Sequence, residues 1–253
     1  MEVHAHTHSP GKKWTHHFWD FLMLFLAVTL GFFVENQREH VVEHQRATQY
    51  AKALLKDLEK DTIEILDVMR EDRIILACFD SAAAIIYDRI KNNKAPGGFY
   101  YYSNVVASAP SVSWNDATII QITQSGSLRY FTNPDLVNKI SYYFSQINYI
   151  RVLNANDRSV RDKSMEIRSR VLNNHEYTRF STYSTDDWLK LPDTLMNKLF
   201  PVQTNDANLL NEFANSFENR RRVLNLVMKR VYPEAIQDAK ALMNLLKEEY
   251  HLE

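Results

Sequence analysis

The chain has 253 residues, 45% hydrophobic and 24% charged, with 30 basic against 31 acidic side chains and a formal charge of -1. This composition fits one folded domain beside a smaller element, and it excludes a disordered chain and a global electrostatic pull toward nucleic acid or acidic lipid. Five glycines, with only Gly97 and Gly98 adjacent, exclude a phosphate-cradling loop, and the lone Cys78 excludes an internal disulfide.

Residues 1–17 form a short polar tail carrying His4, His6, His8, His16 and His17. Such a composition can hold a transition metal only where the chain folds around it, so a solvated tail is the expectation and no cofactor is implied. Residues 18–34 follow as a run of Phe, Leu and Val, roughly 26 Å long as a helix and close to the roughly 30 Å bilayer core. Trp14 and Trp19 sit where interfacial aromatics belong, and Phe32, Phe33, Val34 and Glu35 lack the small residues of a signal-peptide cut. The segment therefore reads as a transmembrane helix with the lipid bilayer as its partner. Lys12 and Lys13 lie closer to its edge than Arg38 and Arg46, which favours the N-terminus inside and the C-terminal domain outside the cytoplasm. Ala27 and Gly31 make a small-x-x-x-small pair through which two such helices can self-associate into a homo-oligomer.

Residues 35–253 read as an all-α domain. Between Gly31 and Pro96 no Gly or Pro interrupts the chain, and Ala51, Leu58, Ile65, Phe79 and Ile86 fall on one seven-residue series broken at Asp72. A second helix opens at Asn133 as N-cap with Pro134 behind it and reaches about Asn173. A third starts near Asn205, with Pro233 predicting a kink or restart. The three should pack as an elongated antiparallel bundle of three to four helices. The long connections, about 93–132 and 174–204, should hold local structure, including short helices opening near Ser113 to Asp116 and at Asp193.

Three groupings suggest chemistry. His40, Glu43 and His44 spell the His-x-x-Glu-His arrangement of inverted zincins, but they stand among solvated charges, so a metal-dependent hydrolase is the rival reading and a polar helix face the expected one. Tyr100, Tyr101, Tyr102, Trp114 and Tyr130 crowd the first connection, where they either present a ligand or partner surface at the end of the bundle away from the anchor or plug that end. Arg220, Arg221 and Arg222 ride a helix among glutamates and read as a solvated face, with no nucleic-acid partner.

The stretches MEVHAHTHSPGKKW, FLMLFLAVTLGFFVENQREH and WNDATIIQITQSGSLRYFTNPDLVNKISYYFSQI resemble an uncharacterised family of single-pass bacterial membrane proteins over about the first 150 residues. Ile122, Ser125, Gly126, Leu128, Asn133, Leu136, Tyr142 and Tyr143 occupy its pattern, with Ile122 and Phe131 departing from it. The resemblance implies an inner-membrane anchor and a helical domain, and no established chemistry. The reading is thus a membrane-anchored, non-enzymatic helical module that binds an unknown protein partner or ligand in a sensory or scaffolding role. A cytoplasm-facing scaffold is the further alternative.

Overall fold

The computed structural model describes residues 14–88, 90–183 and 190–252. They divide into two compact units, Met1–Gln49 and Tyr50–Glu253. The described part of the first is helix alone, the opening half of α1 (Trp14–Asp88), which runs unbroken for 75 residues. Its apolar segment has a mean hydropathy of 1.8 and none of it is buried, so this helix is long and apolar enough to cross a membrane.

In the second unit the absence of Gly and Pro lets α1 continue to Asp88. It stops where Asn92 and Asn93 both adopt left-handed backbone, a conformation asparagine tolerates better than most residues. The following elements are β1 (Lys94–Pro96), α2 (Gly97–Val105), α3 (Ala117–Gln124), a 3-10 turn (Ser127–Tyr130) and α4 (Pro134–Val171). Next come α5 (Asn174–Phe180), α6 (Asp193–Met196), β2 (Leu199–Pro201), α7 (Ala207–Leu226), a π-helical turn (Val227–Val231) and α8 (Tyr232–Tyr250). The all-α expectation holds, with β1 and β2 only a three-residue antiparallel pair in which Ala95 faces Phe200.

Caps set the boundaries. The Asn133 side chain accepts from the backbone N–H groups of Asp135 and Leu136, with Pro134 supplying a first-turn φ at no hydrogen-bond cost. Asp206 caps α7 through the Leu209 N–H at 2.8 Å. Pro233 does not stop the last helix. Its ring would meet the carbonyl four residues back, at Lys229, and the wider π-turn that spans this position relieves the clash.

Pairwise contacts give the directions of the long helices. Asp61 of α1 meets Tyr143 of α4, and Gln146 and Asn133 of α4 meet Asp238 and Glu249 of α8. Arg170 near the end of α4 meets Glu212 near the start of α7, while Phe79 of α1 stacks on Phe217 of α7 with ring centroids 5.6 Å apart. The α7–α8 helix is therefore antiparallel to α4. Arg220, paired with Asp157 of α4, lies over the ring of Phe79 of α1, so α1 positions 61 and 79 fall beside α4 positions 143 and 157 in the same order. Helices α1 and α4 thus run parallel, which corrects the antiparallel expectation for this pair.

Parallel neighbours need a return path, and the first connection supplies it. Tyr100 bonds Pro201, the Val106 and Ser108 carbonyls accept from Arg220, Asn115 binds Asp61, and Ser127 reaches Tyr50 at 3.5 Å. Residues 93–132 are thus a strut lying antiparallel to α1, and not an elaboration at one end. Gly97 in this strut admits no side chain, because a Cβ there would strike the Leu195 carbonyl and crowd the rings of Phe180 and Phe200.

The heptad positions Ala51, Leu58, Ile65, Phe79 and Ile86 are all buried. Leu58→Asp should therefore lower stability by at least about 3 kcal/mol, an unpaired charge in the core, while Lys60→Asp on the exposed face should stay within about 0.5 kcal/mol. Chemical denaturation of the two variants checks this, and equal losses would refute the placement of the stripe.

Candidate functional site

The aromatic residues singled out in the first connection do not share a surface. Tyr100 is fully buried, stacked on Phe180 at 5.2 Å, and its hydroxyl donates to the Pro201 carbonyl at 2.5 Å and accepts the Asn173 N–H at 3.2 Å. Burial pushes its hydroxyl up to about 12. Tyr101 is buried with its ring against that of Tyr102, which is half-buried. Trp114 lies edge-on to Tyr143 in the middle of the bundle, and Tyr130 stands in the 3-10 turn beside Arg129. Because the connection runs the length of the bundle, Tyr100 and Tyr130 belong to opposite ends of it.

Trp114 packs beside a buried carboxylate. Asp61 Oδ1 accepts both the backbone N–H of Asn115 at 2.7 Å and its side-chain amide at 3.1 Å, and Oδ2 accepts the Tyr143 hydroxyl at 3.1 Å. Burial raises the carboxyl against the opposing pull of the Asn115 bonds, and it raises Tyr143 as well, with the neighbouring carboxylate adding to the effect. These bonds hold the strut against α1 and α4, so the Trp114 region is a structural joint.

A second polar joint lies deeper. Arg220 of α7 is 1% exposed and forms a bidentate pair with Asp157 of α4, Nε to Oδ1 and Nη2 to Oδ2, both at 2.9 Å. Its remaining donors reach the carbonyls of Val106 and Ser108. Asp72, the residue that breaks the α1 heptad, faces this pair. It is 1% exposed, and its Oδ1 has no hydrogen-bond partner among the described residues. Burial first, and then the Asp157 charge, raise its carboxyl to about 7 against the opposing pull of Arg220, with Glu71 adding to the rise. Tyr232 packs at the same place, its hydroxyl donating to Asn154 at 3.3 Å, and burial and the Asp72 charge raise it too.

The solvated reading of the three arginines holds only for Arg222. Arg221 pairs with Asp80 of α1 at 2.6 Å and with Glu218, and Arg220 is the largest fully buried side chain. A signal was present: Phe213, Phe217, Arg220 and Leu224 fall at spacings of four, three and four, which places Arg220 on the apolar stripe.

Two open clefts flank α4. One, about 870 Å³, lies between α4 and α7 and is walled by Lys163, Glu166 and Arg170 on one side and by asparagines of α7 on the other. The smaller, about 360 Å³, lies toward the π-turn and α8, with Tyr142 and Tyr149 on its rim. Sequence reasoning missed the first because its lining is hydrophilic and no motif marks it.

The remaining sequence candidates belong to the first unit or lie outside the described residues. His40 and Glu43 approach to 4.0 Å on exposed helix, His44 is exposed, and no group of three or more metal-ligating residues occurs among the described residues. Ala27 and Gly31 are exposed on α1, where a Cβ at Gly31 would meet nothing within 4 Å. His4, His6 and His8 lie outside the described residues. Comparison with protein-family models, with curated proteins and with solved structures finds no match to the chain.

The raised carboxyl of Asp72 has a definite sign. Between its ordinary value near 3.8 and about 7 the unfolded chain gives up this proton while the folded chain keeps it, so stability is lost as pH rises through that window. A shift of roughly three units corresponds to at most about 4 kcal/mol. Asp72→Asn, an uncharged near-isostere, should unfold close to the wild type at about pH 4 and at a clearly higher temperature at about pH 8. Thermal unfolding at both pH values tests this, and identical pH profiles for the two proteins would remove Asp72 as the source.

Proposed function

We propose that the protein is a single-pass, membrane-anchored helical module without catalytic activity, in which Phe18 to Val34 holds the chain in the bilayer and residues 50–253 bind a partner or ligand. One observation carries the reading: along this segment the large apolar side chains stand open, with Phe21 65%, Leu24 66% and Phe32 75% exposed. A soluble protein rarely leaves so large a contiguous apolar surface bare, whereas lipid satisfies it.

The same helix continues into the heptad stripe without Gly or Pro, so a change in the packing of α1 has an unbroken backbone along which to act. The lysine placement favours a bundle outside the cytoplasm, which in a bacterium means the inner membrane with the domain on its far side. Self-association through Ala27 and Gly31 is compatible with this anchor. The non-enzymatic reading draws on where the perturbed acids sit. Asp61 and Asp72 are enclosed by helices, whereas catalytic carboxyls of raised pKa must be reached by substrate.

The full-length protein should fractionate with membranes, resist carbonate extraction and retain its N-terminal residues. Leu26→Arg should abolish insertion, since a cation at the centre of a membrane helix costs roughly 3 kcal/mol on insertion scales. Recovery of a soluble wild-type form would refute the anchor, and a reporter fused after Glu253 reads the side on which the bundle lies.

A further inference from the structure

The α4–α7 cleft has a chemistry that its size alone does not convey. Asn208, Asn211, Asn215 and Asn219 line it from α7, and all four are exposed. No hydrogen bond within the described residues engages the side chains of Asn208, Asn211 or Asn215, while Asn219 accepts from Arg222. Asn211, Asn215 and Asn219 recur every four residues, about 6 Å apart along the helix axis and turned by only about 40° per step. They form a nearly straight row of carboxamides.

An extended polypeptide presents an N–H and a C=O on the same edge at every second residue, about 6.6 Å apart. A carboxamide donates and accepts at once, so each asparagine can pair with both groups of one such residue. The mismatch of about 0.6 Å per step is within the reach of side-chain torsions. Lys163 and Arg170 of α4 are balanced by Glu166 of α4 and Glu212 of α7, so the walls carry no net charge and complement an uncharged backbone better than a polyanion. No aromatic residue lines the cleft to stack on a sugar ring. The Arg170–Glu212 pair bridges the two helices at 3.4 Å, but both members are more than half exposed, and such pairs open at little cost.

From this geometry we infer that the cleft takes an extended polypeptide segment of a partner protein, held by its backbone along the α7 asparagine row. This rests on the reading of the bundle as a partner-binding module and names the class of partner. Backbone recognition makes the cleft tolerant of sequence and intolerant of missing N–H groups.

The test uses the full chain in detergent and a fluorescein-labelled peptide of alternating alanine and glutamine, followed by fluorescence anisotropy. Saturable binding is expected, weakened at least about tenfold when Asn211→Ala and Asn215→Ala are combined, which corresponds to about 1.4 kcal/mol. N-methylation of alternate peptide amides should weaken it similarly, and Tyr149→Ala on the other groove should leave it unchanged. Both asparagines are exposed, so the double variant should unfold at the wild-type temperature, which separates lost binding from lost folding. The inference is overturned if the peptide does not bind saturably, if the methylated peptide binds as well, or if chitotetraose displaces it and is lost with the same variant. Peptide binding in detergent does not depend on the anchor, so a soluble wild-type protein would defeat the membrane reading alone, and absent peptide binding would defeat this inference alone.

Discussion

Arg220 carries five N–H donors on a side chain that is 1% exposed, and a buried guanidinium must find acceptors for them or leave the core. It finds them on two other chain segments: both oxygens of Asp157 in α4, and the carbonyls of Val106 and Ser108 in the returning strut. Its face also lies 5.8 Å from the ring of Phe79 in α1. Four segments of the bundle thus meet at one planar cation. Apolar packing would bring these helices together in several registers of similar energy, whereas a fork of donors tolerates only the one that satisfies it. We therefore regard this pair as the element that sets the register, although replacing such a pair with well-packed apolar residues often costs nothing in stability.

The direction of α4 follows from the path of the chain. Because α4 runs parallel to α1, the chain must travel back along the bundle before α4 can start, and residues 93–132 do this with two short helices and a 3-10 turn. Irregular backbone buried in this way needs partners for its polar groups. They are supplied by side chains of the long helices, Asp61 at Asn115 and Arg220 at Val106 and Ser108. Asp61 and Arg220 are therefore buried where the strut lies and serve to satisfy its backbone.

Asp72 is the exception, since nothing in the strut or in α4 bonds its Oδ1. Placed beside Asp157, it adds a second acid to a joint whose buried cation, Arg220, is already engaged by the first. The lowest-energy state keeps Asp72 protonated, and the balance shifts close to neutral pH. This makes α1, the helix that also carries the exposed apolar segment, the least comfortable member of the core.

The exposed apolar segment, the long first helix and the starts of α4 and α7 were legible in the sequence, because each depends on chemistry within a few residues. An apolar run is visible in composition alone, Asn133 and Asp206 bond N–H groups two and three positions ahead, and a stretch without Gly or Pro has nothing to end it. Only the tertiary structure decided that α1 and α4 run parallel, that the aromatic residues of the connection are spread along the bundle, and that Arg220 and Asp72 are core residues. Periodicity reports which face of a helix is buried and is silent on which helix covers it. A charge on an apolar stripe therefore reads as an interruption until the partner that neutralises it, or fails to, has been brought beside it from more than sixty residues away.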